Sequence, residues 1–270
     1  MNKFYVITNE SKDISLETTN RVKSYLEEKG KVCILAENKK NMPEDIDCVL
    51  VLGGDGTLIR AARELRSYDV PMLGINLGTL GYLAEVEVHN IEKALNQLVE
   101  KEPVVEERMM LRGILNQQIE DIALNDIVIT RLGTLRVINI NIYVNGELLN
   151  SYISDGMIIS TPTGSTGYNL SAGGPIVQPT ASMIVITPIC SHALNASSIV
   201  LSADDEITVE IGQRQYGEVE EAGLSFDGDR NITVRTGDKI VIQRAKDTTK
   251  LLKLSKISFL ETLRRKMKGN

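Results

Sequence analysis

Along the first hundred residues, short apolar runs alternate with longer stretches whose apolar positions recur every three or four residues. "KFYVIT" (3–8), "KVCILA" (31–36), "DCVLVL" (47–52) and "PMLGINLG" (71–78) read as strands. "DCVLVL" is apolar without alternation, the mark of a strand covered on both faces. Between the strands, "ISLETTNRVKSYLEEKG" carries Ile14, Val22 and Leu26 at helical spacing and stops at Gly30. "TLIRAARELRS" is rich in helix formers, and "NIEKALNQLVE" is a helix with Asn90 placed to cap it. Strand and helix in alternation predict a parallel, doubly wound α/β sheet of the Rossmann-like kind over residues 1–103.

From about residue 104 the period changes to two. In "RVININIYVNGELLN", Ile138, Ile140, Ile142 and Val144 alternate with Asn139, Asn141 and Tyr143, and Asn145-Gly146 then favours a type I′ hairpin. "EITVEI", "LSFDGD", "NITVRTGD" and "KIVIQRA" continue in short runs broken by Gly and Asp. A mostly β domain over 104–250 is expected. The tail, 251–270, returns to helical spacing in "ISFLETLRRKMKG", where Arg264, Arg265, Lys266 and Lys268 face a single acid, Glu261. It predicts an amphipathic helix packing back on the α/β domain.

Composition narrows the classes. The chain has 270 residues, 42% of them hydrophobic, enough for one large or two medium domains. A net charge of −6 argues against phosphodiester backbones and anionic membranes as partners. No apolar stretch approaches the ~20 residues that span a bilayer, and no signal pattern opens the chain, so a cytoplasmic protein is expected. Cys33, Cys48 and Cys190 are scattered, with no metal-ligand spacing, and are expected to be ordinary buried thiols. His192 and His89 have no partners at metal spacing either, and read as a structural hydrogen-bonder and a surface residue.

The chemistry concentrates in "LVLGGDGTLIRAARELRS" (50–67), where Gly53, Gly54 and Gly56 surround Asp55 between an apolar strand and a helix. In an open parallel sheet, ligands sit beyond the carboxyl ends of the strands, and a glycine-rich turn there lets backbone N–H groups close on phosphate oxygens. The stretch lacks the lysine of a P-loop and the third glycine of a dinucleotide fingerprint. A carboxylate beside phosphates is electrostatically unfavourable unless it has a task, such as taking a proton from an attacking hydroxyl or orienting a divalent cation. The structural alternative is that Asp55 caps the following helix at its positive end. Further on, "TPTGSTGYNLS" sets Thr161, Thr163, Ser165 and Thr166 among glycines before Tyr168. That composition suits either a ring of hydroxyls around a heterocycle or a turn bonding its own backbone.

GGDGT is shared by NAD kinases and lipid kinases, with a close variant in phosphofructokinases. "LGINLGTLGYLAEV" (73–86), "ALNDIVITR" (123–131), "SDGMIISTPTGSTGYNLSAGGPIV" (154–177), "ITPICSHALNASSIVL" (186–201) and the late "FDGD" (226–229) resemble the motifs of NAD kinases, in that family's order and spacing. The resemblance runs from about residue 47 to the C-terminal helix. It implies transfer of the terminal phosphoryl of ATP, with Mg2+, to the 2′-hydroxyl of the adenosine ribose of NAD, giving NADP. Asp55 would be the proton acceptor, and Gly53, Gly54, Gly56 and Thr57 the phosphate loop. Asp55, Gly56, Arg60, Asn125, Asp126, Arg136, Asp155, Thr166, Gly167, Tyr168, Asn169, Leu170 and Ser171 would bind NAD. No metal ligand from the protein is implied, and a homo-oligomer, dimer or tetramer, is expected. Asp126 stands where many relatives carry Glu, Asp229 where many carry Gln, and Ile153 where some carry a basic residue. Two rivals bear on the motif: a lipid kinase sharing GGDGT, and a dinucleotide sensor that keeps the pocket without the chemistry.

Overall fold

The computed structural model describes residues 1–36, 42–78, 81–133, 137–192, 196–213, 219–229, 231–255 and 257–268. They fall into two compact units, Met1–Arg108 with Thr249–Asn270, and Met109–Thr248.

The first unit is the α/β one. Strands β1 (Lys3–Thr8), β2 (Val32–Leu35), β3 (Cys48–Gly53) and β4 (Met72–Asn76) lie in the order β4-β3-β1-β2, with every pairing parallel. The short β5 (Val86–Glu87) adds to β4, also in parallel. β3 is buried along its whole length, as its unbroken apolar run requires. Helices α1 (Glu17–Glu28), α2 (Asp55–Glu64) and α3 (Ile91–Glu100) cover the sheet through Val22, Leu26, Leu58, Ile91, Leu95 and Leu98, all buried. Ile14, expected inside the first helix, instead lies in the preceding turn and is 88% exposed. Helix α1 begins later because the Asp13 carboxylate takes the amides of Thr18 and Thr19 and fixes its start there. Asn90 occupies the N-cap position of α3 without a capping bond from its side chain, which meets His89.

The second unit is a β-sandwich. β6 (Val104–Leu115) leads into it and pairs with β7 (Ile119–Ala123). One face is a six-stranded antiparallel sheet in the order β13-β12-β11-β8-β15-β16, built from β8 (Asp126–Arg131), β11 (Gly156–Ser160), β12 (Met183–Ile189), β13 (Ile199–Ser202), β15 (Glu221–Phe226) and β16 (Ile232–Arg235). The other face carries β9 (Ile138–Val144), β10 (Glu147–Ser154), β14 (Ile207–Ile211) and β17 (Lys239–Lys253), ordered β10-β9-β14-β17. Ile127, Ile129, Met157, Ile159 and Phe226 of the first sheet pack with Ile138, Ile140, Ile142, Val209 and Ile240 of the second. The alternation read from β9 is therefore the sandwich interior. Asn145 and Gly146, at φ 51° and 84°, make the type I′ turn into β10.

Between β11 and β12, a 3-10 turn (Gly164–Thr166) leads into a single helical turn, α4 (Tyr168–Ser171). Near the chain's end, α5 (Phe259–Met267) forms with the Ser258 hydroxyl capping the Glu261 amide. The three cysteines are all free but not all buried. Cys48 is buried, Cys33 is half-buried, and Cys190 is exposed in a left-handed turn at φ 47° that carries its side chain out of the sheet.

Candidate active site

In the first unit, β3 delivers the glycine loop to the carboxyl edge of the parallel sheet, and α2 starts at Asp55 itself. Asp55 does not simply cap its own helix. Its Oδ2 accepts the Tyr82 amide at 2.6 Å, while Oδ1 accepts those of Leu83 and Ala84 at 3.1 and 3.0 Å. The carboxylate thereby gathers the chain that follows β4 around itself. Gly81 makes the approach possible, because a Cβ there would collide with the Asp55 carboxylate. Oδ2, with one amide, keeps acceptor capacity for an incoming hydroxyl. Thr57, in the first turn of α2, accepts the Asn9 side-chain amide at 3.1 Å, which ties the turn after β1 to the glycine loop. Gly56 and Arg60 are exposed on the same helix.

The second unit gathers the remaining motifs. Asn125 and Asp126 stand at the start of β8, and Asp227, just past β15, fixes them. Its carboxylate accepts the amides of Leu124, Asn125 and Asp126 at 2.8, 2.7 and 3.1 Å. Asp227 holds φ 52°, a left-handed turn that Asp tolerates better than most residues. Burial first, and then the Asp227 charge, push the Asp126 carboxyl up to about 7. The Asn125 Oδ1 is buried with no hydrogen-bond partner among the described residues. Such an acceptor is costly unless a donor arrives.

The 161–171 segment closes over this corner. The Thr161 amide donates to the Asn125 carbonyl and its hydroxyl to the Leu124 carbonyl, at 2.8 and 2.6 Å. Gly164 packs so closely that a Cβ would strike the Asn125 backbone. The Ser165 hydroxyl bonds Pro162 and Val177 backbone. Thr161 and Ser165 thus follow the turn-building reading of this composition. Asn169 is tied into the turn itself. It is fully buried, with its amide nitrogen on the Ser165 and Pro175 carbonyls and its oxygen taken by the Thr187 hydroxyl. Thr166 and Gly167 are half-buried, and Tyr168, Leu170 and Ser171 are exposed, forming the open side of the turn. Asp155 is held by Arg131 at 2.8 Å, a partner that no local pattern points to. Arg136 lies outside the described residues, whereas Asp229 and Ile153 are exposed. Among the described residues there is no cluster of three or more His, Cys, Asp or Glu side chains able to hold a metal ion.

A glycine loop and an aspartate at the carboxyl edge of a parallel sheet, with an unpaired buried amide oxygen beside a buried carboxyl in a β-sandwich, point to a phosphotransferase of the GGDGT type. The chain matches the ATP-NAD kinase N-terminal domain model over residues 34–103 and the ATP-NAD kinase C-terminal domain model over 124–254. It is 47% identical to an NAD kinase of Agathobacter rectalis, with 100% of this chain and 99% of the relative covered. It is 44% identical to one of Lachnospira eligens, at 99% and 100% coverage. An NAD kinase from Archaeoglobus fulgidus solved with ATP superposes with a TM-score of 0.83 at 26% identity, covering 98% of each chain. Yeast NADH kinase complexed with NADH shares the fold, at a TM-score of 0.90 and 24% identity, covering 100% of this chain and 88% of the yeast one. The chain belongs to the NAD kinase family, whose members use ATP to phosphorylate NAD to NADP.

Proposed function

We propose that this NAD kinase works through Asp55 as the group that receives the proton of the adenosine 2′-hydroxyl. The observation that carries this reading is the fixed Asp55 carboxylate, oriented by the Tyr82, Leu83 and Ala84 amides and adjoining the glycine loop. A carboxylate whose position is set by backbone amides can accept a hydroxyl proton without first reorganising. The glycine loop and the first amides of α2, which lack partners within the helix, face the transferring phosphoryl. Because the transition state of phosphoryl transfer is loose, the aspartate acts mainly by orienting the hydroxyl and takes its proton late.

In the second unit, Asn125 and Asp126 are the nucleoside-recognising pair. The unpaired Asn125 Oδ1 suits the exocyclic amine of adenine, and Asp126 suits a ribose hydroxyl. Thr166, Gly167, Tyr168, Leu170 and Ser171 are the lining contributed by the turn, while Asn169 supports it from inside. Mg2+ arrives on the phosphates of ATP as part of the substrate, in keeping with the few protein ligands that this ion usually takes. The protein acts as a homo-oligomer, a reading supported by the exposed edge strand β10 with Leu148 and Ile153 outward.

The test is a coupled assay for NADP from NAD, ATP and Mg2+ with the wild type and Asp55→Asn. A loss of about 10²- to 10⁴-fold in kcat is expected, with folding unchanged. Near-normal turnover in the variant would overturn the role given to Asp55. Wild-type protein that binds NAD but makes no NADP would favour the dinucleotide sensor, and phosphorylation of diacylglycerol by the same preparation would favour the lipid kinase.

A further inference from the structure

At the carboxyl edge of the first unit's sheet, the turn after β1 approaches the glycine loop. Asn9 anchors it. Its backbone amide donates to the Leu52 carbonyl at 2.8 Å, its side-chain amide donates to Thr57 Oγ1, and its Oδ1 takes the Ser11 amide and hydroxyl. The Lys12 and Asp13 amides fold back on the Asn9 carbonyl at 2.9 and 3.1 Å. On the far side, the Asp13 carboxylate is committed to the start of α1, bonding the Thr18 and Thr19 amides and the Thr19 hydroxyl. Although burial works against it, those bonds hold the Asp13 carboxyl below its ordinary value. The acid next to Lys12 is therefore directed away from it.

Lys12 stands at the tip of this pinned turn. Its Nζ lies 3.1 Å from where a Cβ of Gly54 would be and 3.3 Å from that of Gly78. Gly78 is itself fixed by Asn76, which exchanges two side-chain bonds with its backbone at 3.1 Å each. Apart from that ammonium and the glycines' own chain neighbours, nothing among the described residues comes within 4 Å of either position. Nor does the ammonium have a hydrogen-bond or ion-pair partner among them. A cation has thus been brought, unpaired, over two glycines just beyond β3 and β4, one of them the chain neighbour of Asp55.

Charge gives that placement a purpose. A phosphoryl group delivered next to Asp55 meets like charge at close range, which opposes binding unless a cation stands nearby. Among the described residues, the ammonium over Gly54 is such a cation. We propose that Lys12 binds the phosphate chain of the nucleoside triphosphate donor and positions it over the Gly54 loop. This inference rests on the kinase reading above. The acceptor is the less suitable ligand, because what it brings to Asp55 is a neutral hydroxyl, whereas the donor brings the anionic phosphoryl that a cation would stabilise there.

The experiment measures NADP formation by wild type, Lys12→Gln and Lys12→Arg with ATP varied at saturating NAD, then NAD varied at saturating ATP, alongside thermal unfolding of each protein. Lys12→Gln is expected to lower kcat/KM for ATP at least tenfold, leave the KM for NAD within twofold and leave the unfolding midpoint unchanged. Lys12→Arg, which keeps the charge, is expected to retain kcat/KM for ATP within about threefold. A kcat/KM for ATP within twofold of wild type in Lys12→Gln would overturn the proposal. So would a loss confined to NAD, which would give the ammonium to the acceptor, or equal losses in both variants with a lowered midpoint, which would make Lys12 a packing residue. Failure of the wild type to make NADP would instead remove the kinase reading on which the proposal stands.

Discussion

Asp55 and Asp227 perform the same physical task in different units: each carboxylate gathers three consecutive backbone amides and so fixes a loop that carries function. Charge-assisted bonds of this kind are roughly twice as strong as neutral ones. At Asp55 the consequence falls on its neighbour Gly81, which has to leave room for the carboxylate. Gly81→Ala is expected to push the 82–84 segment off Asp55 and to lower kcat by more than tenfold, although the new methyl touches no substrate; the coupled assay reads this directly. At Asp126 the consequence is a pH dependence. Its carboxyl titrates at about 7 in the folded chain, against 3.8 for an unperturbed Asp. A raised carboxyl pKa means that the unfolded chain ionises first, so this group lowers stability progressively between about pH 4 and 7. The cost above neutrality is on the order of 4 kcal/mol. Asp126→Asn is expected to melt higher than wild type at pH 8 and close to it at pH 4. Midpoints that differ equally at both pH values would contradict the assignment.

Among the elements, the junction of β8, β15 and the 161–171 turn draws its parts from well-separated stretches of the chain. Leu124 and Asp227 are separated by 103 positions, and one side chain joins them. Asp227→Ala strands three amides, and its expected effect is a rise of more than tenfold in the KM for NAD with a smaller change in the KM for ATP. Calorimetric titration of NAD into the variant checks the same point without turnover. The elements themselves were largely legible. The α/β series, the β9–β10 hairpin with its Asn145-Gly146 turn and the late helix all follow from local periodicity and turn chemistry. Ile14 was not, because the start of α1 is set by a carboxylate thirteen residues into the chain rather than by apolar spacing. The setting of Asn169 was not legible for a related reason. An Asn in a polar turn looks like a ligand contact until Thr187, eighteen residues away, is seen to take its oxygen.

For the whole molecule, charge and surface decide what else it meets. No helix among the described residues is long and apolar enough to cross a membrane. The net charge of −6 makes anionic surfaces poor partners, which leaves any basic site local, as at Lys12. Exposed apolar side chains gather on β10, an edge strand with Leu148 54% and Ile153 52% exposed. Putting lysine at both positions is expected to shift the protein to a smaller species in sedimentation or size-exclusion with light scattering, without loss of the thermal transition. An unchanged mass would separate β10 from self-association.

The sequence by itself determined the two-part architecture, the glycine loop with its aspartate and the motifs that place the chain among NAD kinases. All of these are written in neighbouring residues, through period, turn chemistry and short spacing. Only the tertiary structure decided which amides Asp55 holds, that Asp227 sets Asn125 and Asp126, that Thr187 takes the Asn169 oxygen, and that Lys12 stands over Gly54 and Gly78. Those facts depend on atoms far apart in the chain meeting within hydrogen-bond distance or in close contact. Local preference does not encode such meetings, because they arise when separate strands are brought side by side and the loops at their ends share one edge.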